Sequence, residues 1–186
     1  AALGYRTLDE AVGDPDALDV NDAISHWKAD GLDLTPVLRG PEFPEGEPRR
    51  FGRAQEHEIA EHFDQQLLGM ARDALERREP AVIHLPIRNT DRAVGTMLGH
   101  EVTKRFGAAG LPAETIDITL TGSAGQSLGA FLPAGIHLRL FGDANDYVCK
   151  GLSGGEISIL PSPQSGHTAA GNVIAGNVIG YGATGG

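Results

Sequence analysis

Cysteine is all but missing from this sequence: Cys149 is the only one in 186 residues. A single thiol excludes an internal disulfide, and any metal or iron–sulfur site built from clustered cysteines within the chain. Aromatic residues are scarce at 5%, with one tryptophan, Trp27. No run approaches the roughly 20 consecutive apolar residues that a membrane-spanning helix needs. Basic residues are outnumbered, 15 Lys and Arg against 25 Asp and Glu, for a formal charge of −10. That balance argues against a nucleic-acid partner, whose affinity comes from neutralising phosphates with Lys and Arg. The short basic pairs Arg49-Arg50 and Arg77-Arg78 sit beside Glu47 and Glu76 and read as solvated faces. No basic-then-apolar leader opens the chain, and Ala1-Ala2 without a methionine reads as a processed or excised boundary. A reducing, cytoplasmic compartment is expected.

What is present is a globular composition, 40% apolar and 22% charged. It changes character near Thr115. Before that point charges are dense and the apolar period is helical. Ile59, Phe63, Leu67, Met70, Ala71, Ala74 and Leu75 form one stripe, which predicts a helix over 55–78. Val94, Leu98, Val102 and Phe106 predict a second over 94–106, stopped by Gly107 and Pro112. Val20, Ala23, Ile24 and Trp27 suggest a short helix capped near Asp19 or Asn21 and ended by Gly31. The stretch 81–87 reads as a strand bounded by Pro80 and Pro86, and 39–53, rich in Pro and Gly, as an exposed linker.

After Thr115 only short β-branched runs remain, beginning at Ile116, Ile136, Ile157, Val173 and Val178. The first three lie about 20 residues apart with one apolar face, the period of a coil that must stack to bury its inward side chains. Glycines including Gly135, Gly142, Gly151, Gly154, Gly155, Gly176, Gly180 and Gly182 suit its corners. Two-residue hairpin signals are absent, which disfavours an antiparallel sandwich. The expected fold is therefore mainly β: a right-handed parallel β-helix, a solenoid, preceded by an α-rich N-terminal segment. The expected divisions are a connecting segment at 1–54, a helix–strand–helix appendage at 55–114 and the Gly-rich β-helix at 115–186.

Several motifs invite chemistry. Gly125-Gln126-Ser127-Leu128-Gly129 has the spacing of a hydrolase nucleophile elbow, and Asp143 or Asp146 and His167 follow in triad order. An elbow needs a strand directly before the serine and a helix directly after, and the sequence offers neither. No phosphate-binding loop is present, since Lys150 is followed by Gly151 and no helix. Asp143-Ala144-Asn145-Asp146 lacks the spacing, glycine and final Glu of an EF-hand and reads as turn chemistry capping backbone amides. His57 and His62 are five apart, Glu58 and His62 read as a surface pair, and His84 and His137 fall on polar strand faces. Cys149 continues an apolar run and reads as a buried small side chain.

Several stretches resemble one family: Pro86 to Gly95, Gly122 to Phe131, Gly142 to Val148, Lys150 to Gly155, Gly176-Asn177-Val178 and Tyr181 to Gly186. They are similar to the C-terminal domain of the glutamate synthase large (alpha) subunit. Ala2 to Thr7 and His26-Trp27-Lys28 resemble the segment that joins its FMN-binding barrel to that domain. The resemblance implies a Gly-rich β-helix with a scaffold role, inside an enzyme that makes two glutamates from glutamine and 2-oxoglutarate with NADPH or ferredoxin as reductant. It also implies FMN and a 3Fe-4S cluster in that enzyme, outside this chain, and FMN-binding and glutaminase domains as partners. No residue here is assigned a catalytic, cofactor-binding or metal-ligating role. The family pattern has glycine where Cys149 stands and continues past Gly186 with further coils, so self-association through the last coil is a further expectation. A free-standing subunit of a related split complex is the alternative, and an independent serine hydrolase using Ser127 the other.

Overall fold

Alternating apolar and polar residues put four strands into one parallel sheet: β1 (Ala81–Ile87), β2 (Ile116–Ala124), β3 (Ile136–Ala144) and β4 (Glu156–Leu160), in the order β1-β2-β3-β4. The computed structural model describes residues 3–19, 25–40, 44–48 and 50–186. The chain divides into two compact units, Ala1–His57 and Glu58–Gly186.

In the second unit the register aligns like with like. Ile83, Ile118, Leu138 and Ile157 stand in one row and Leu85, Leu120, Leu140 and Ile159 in another. Ile116, Ile118, Leu120, Leu138 and Leu140 are fully buried. Each such side chain contributes about 1.5–3 kcal/mol on burial, so these rows hold the sheet against its helices. The connection from β1 to β2 runs through the longest helix, Thr96–Phe106, which buries Leu98 and Val102 on the core and stops at Gly107 as its sequence predicts. A parallel pair needs such a crossover because its strands must run the same way.

The expected solenoid is not what forms. Among the described residues there is one sheet with helices packed on it, an α/β arrangement rather than a right-handed parallel β-helix. The 20-residue spacing survives as register, with Ile116 opposite Ile136. A β-helix also needs strands on its other sides, and here those stretches bend at every second residue through positive φ, which strands cannot use. Val173-Ile174 and Val178-Ile179, expected as strands, form none, and Val178 itself has φ 61°.

Helices differ from expectation too. The stripe over 55–78 is not one helix: Ile59–Glu61 is a 3₁₀ turn entered from Glu58 at φ 51°. Two short helices follow, Asp64–Met70 and Arg72–Arg77, divided at Ala71. In chain order the α-helices among the described residues are α1 (Leu8–Ala11), α2 (Thr35–Leu38), α3 (Asp64–Met70), α4 (Arg72–Arg77) and α5 (Thr96–Phe106). The apolar stripe is nonetheless used, with Leu67, Ala71 and Ala74 fully buried. Pro86 lies inside β1 rather than beyond it, tolerated because β1 is an edge strand.

The first unit shows no α-rich body among its described residues. Its α-helices among the described residues are the four-residue α1, capped by the Thr7 hydroxyl, and α2. None of its described residues is buried. The helix expected around 20–27 falls mostly outside the described residues; within them, Trp27–Ala29 is a 3₁₀ turn.

One buried carboxylate pins α3 to α5. Asp64 is wholly buried, and it accepts hydrogen bonds from the N–H groups of Gly95 at 2.8 Å and Met97 at 2.7 Å. It thus caps from a distance the helix N-terminus that α5 cannot cap with Gly95. Burial pushes its carboxyl above the ordinary range, with these N–H donors pulling the other way. His62 is not on a helix: its ring bonds the Asp64 N–H through Nδ1 and the Arg92 carbonyl through Nε2.

Candidate functional site

The loops that follow β2 and β3, together with a later stretch, form three stacked arches at 127–131, 147–151 and 178–182. Positive φ recurs at alternate residues: Ser127, Gly129 and Phe131, then Tyr147, Cys149 and Gly151, then Val178, Gly180 and Gly182. The N–H groups at these positions point alternately to the two neighbouring layers. Ser127 and Phe131 donate to the carbonyls of Asp146 and Lys150 at 2.8 and 2.7 Å, while Cys149 donates back to Leu128 at 3.0 Å. Tyr147 and Gly151 donate onward to Asn177 and Tyr181, and Gly180 donates back to Val148. Backbone polar groups off the sheet are thereby satisfied without strands. Cys149 occupies one of these left-handed positions. It is partly buried against the core, and burial raises its thiol pKa above the ordinary value, so it carries little thiolate near neutral pH.

The turn residues do what turn residues do. Asp146 Oδ1 accepts from the N–H of Asn177 at 2.7 Å, Asn145 Oδ1 from the N–H of Asp146, and Asp143 Oδ1 from the Ser123 hydroxyl at 2.8 Å. Among the described residues no group of three or more His, Cys, Asp or Glu could hold a metal ion. His84 is exposed on β1, whereas His137 on β3 is nearly buried, with Asp117 Oδ1 3.4 Å from its Nδ1 and Glu156 Oε1 3.9 Å from its Nε2.

Ser127, Asp143, Asp146 and His167 are not assembled as a triad. Ser127 sits in an arch with β2 ended three residues earlier and no helix after it. Asp146 is engaged by the 177 backbone, and no hydrogen bond joins Ser127 to His167. Asp143 and His167 do come together, in a cleft of about 310 Å³ at the carboxyl ends of β3 and β4 that Ser127 does not line. Its apolar side is Pro161, Val173 and Ile174, and Asn172 completes its polar side. The loop shaping it is folded on itself: the Ser165 N–H and hydroxyl both donate to the Ser162 carbonyl, the His167 N–H to the Ser165 hydroxyl, and the Asn172 amide to the Thr168 carbonyl. Sequence reasoning missed this cleft; its one available signal is the Pro- and Ser-rich run 161–165 directly after a strand.

A parallel-sheet unit braced by stacked arches with left-handed backbone at alternate positions defines the class of fold. The chain belongs to the GXGXG motif family, which matches residues 64–186. It is 46% identical over 188 residues to the glutamate synthase [NADPH] large chain of Bacillus subtilis, covering 100% of this chain and 12% of that protein. It is also 46% identical over 187 residues to the glutamate synthase [NADH] of Saccharomyces cerevisiae, covering 100% of this chain and 9% of that protein. With the ferredoxin-dependent glutamate synthase 2 of Synechocystis it shares 38% identity over 188 residues, again 100% of this chain and 12% of the relative. The chain thus spans about a tenth of the length of the curated relatives it matches. Among the described residues no helix is long and apolar enough to cross a membrane.

Proposed function

We propose that this chain is the glycine-rich, non-catalytic structural component of a glutamate synthase, C-terminal in a longer polypeptide. The observation that carries the reading is similarity across 100% of this chain to relatives named for all three reductants, NADPH, NADH and ferredoxin. In that reading the whole enzyme makes two glutamates from glutamine and 2-oxoglutarate, in the cytoplasm, and this unit packs between its glutaminase and FMN-binding parts. The iron–sulfur cluster belongs to those parts as well, because a cluster takes several thiolates and this chain has only Cys149. The named relatives span the three electron donors, so similarity favours none of them.

The test uses the whole enzyme carrying Ser127→Ala. The expected result is glutamate synthesis at the parent rate, with no labelling of Ser127 by a fluorophosphonate probe in the unsubstituted protein. Loss of synthesis in a variant that keeps its fold, or stoichiometric labelling, would overturn the non-catalytic reading. A native gene product of only this length would assign the chain instead to a split complex as a separate subunit.

A further inference from the structure

The cleft at the carboxyl ends of β3 and β4 has a chemistry that the structural role does not require. Asp143 is brought there by the carboxyl end of strand β3, where Gly142 precedes it and Ser123 of β2 stands beside it in register. The opposite wall is held by backbone, with the Ala144 N–H donating to the Ile174 carbonyl at 3.0 Å and the Gly176 N–H to the Ala144 carbonyl at 3.0 Å.

The loop bonds largely to itself. Ser162, Ser165, Thr168 and Asn172 spend their N–H and hydroxyl groups, or their carbonyls, on one another. Lining the cleft without a hydrogen bond among the described residues are two side-chain acceptors, Asp143 Oδ2 and Asn172 Oδ1, beside the His167 ring, whose neutral form carries one acceptor and one donor nitrogen. No Lys or Arg lines the cleft, so the one fixed charge on its wall is negative. Val173, 86% exposed, offers apolar surface that a ligand would cover. The chain's formal charge of −10 adds an attractive field for cations.

We propose that this cleft binds a small organic cation: a primary ammonium group bonded to Asp143 and Asn172, with a short aliphatic tail on Val173, Ile174 and Pro161. A volume of about 310 Å³ is at the small end of ligand sites, which suits a compound of a few carbons. A metal ion does not fit, because the acceptors come from an open wall rather than from three convergent ligating side chains. The inference does not depend on the glutamate synthase reading, since it uses only residues of this cleft.

The experiment is an amide NMR titration of the full chain with n-butylammonium and, separately, with n-butanol, its neutral isostere. The expected result is saturable shifts at Asp143, Ser162, His167 and Asn172 with the ammonium, and at least about tenfold weaker binding of the alcohol, which lacks the charge that Asp143 pairs with. Asp143→Asn should weaken the ammonium by a similar factor. Ser123→Ala, which keeps the carboxylate and removes only its hydroxyl neighbour, should bind within a few fold of the parent and serves as the folding control. Equal binding of alcohol and ammonium, undiminished binding by Asp143→Asn, or no saturation by about 100 mM (a Kd weaker than the millimolar scale) would each overturn the proposal. A salt titration gives a second reading: affinity must fall as ionic strength rises, and a salt-independent affinity contradicts an ionic contact.

Discussion

The sheet and the arches are built from the same recurring stretch of chain, yet they are encoded in different ways. On the sheet, side chains carry the message. Ile116, Ile118 and Leu120 alternate with Asp117 and Thr119, and their partners Ile136, Leu138 and Leu140 repeat the pattern in register. A one-residue slip would turn every apolar side chain to the other face. On the arches, backbone dihedrals carry it. Each arch needs positive φ at alternate residues, and five of those nine positions hold a residue other than glycine: Ser127, Phe131, Tyr147, Cys149 and Val178. Left-handed backbone costs an L residue about 1–2 kcal/mol, so the stacked hydrogen bonds between layers must hold these residues in place.

Sheet and arches approach each other near Gly142, which pairs with Gly122 two residues before β2 and β3 end. Both have positive φ, and a Cβ on Gly142 would run into the Gly122 carbonyl. Gly142→Ala should therefore cost roughly 4 kcal/mol, a combined clash and strained dihedral. Urea unfolding reads this directly, and a loss under about 1 kcal/mol would show that the two strand ends can part freely. Leu138→Ala, a plain cavity in the middle of the sheet, should cost roughly 3 kcal/mol. If the core substitution costs more than the glycine one, side chains rather than backbone contacts limit stability at this end of the sheet.

Much of the sheet side was legible in the sequence. The strand at 81–87, the later runs from Ile116, Ile136 and Ile157, and the helix ending at Gly107 all follow from apolar period and stop chemistry. The solenoid inference failed because period shows that layers repeat and stack, not how many faces of each layer are strands. The helix over 55–78 failed for a related reason: an apolar stripe records which residues are buried, and Leu67 and Ala74 are buried equally well on two short helices divided at Ala71. The cleft was not legible because Asp143 and His167 meet only through a loop folded by its own backbone bonds. The nucleophile-elbow spacing around Ser127 turned out to be an arch, two patterns that share glycines two residues from a serine.

Asp64 supports the first arch-like turn from outside. Ala93 and Gly95 have positive φ, Ala93 donates to the Gln126 carbonyl, and Gly95 donates to the Asp64 carboxylate instead of to another layer. A side chain therefore takes the place of a backbone neighbour. Asp64→Ala leaves the buried Gly95 N–H and the partly buried Met97 N–H without their acceptor and should cost roughly 2 kcal/mol. The cost should be accompanied by faster hydrogen exchange at Met97 and Leu98, with the amides of β3 unchanged. Uniform loss of protection across the sheet would mean that Asp64 stabilises the whole unit rather than the start of α5.

The smallest effect isolates the arch code itself at Cys149. Replacing it by Gly or by Ala removes the same thiol, but only Gly relieves φ 61°. Cys149→Gly should be more stable than Cys149→Ala by about 1 kcal/mol, and equal stabilities would remove left-handed strain from the account of the arches. The thiol gives an independent measure. Burial raises its pKa, so the folded chain binds its proton more tightly than the unfolded chain does. The associated stability is complete below the ordinary thiol pKa and is lost as pH rises through the raised value. Alkylation by iodoacetamide near pH 8 should then be slow in the native protein and accelerate in denaturant, because the thiolate is the nucleophile. A native rate matching the denatured one would place Cys149 in water, and the stacking of the second arch on its neighbours would have to be looser than its hydrogen bonds to Leu128 and Tyr181 imply.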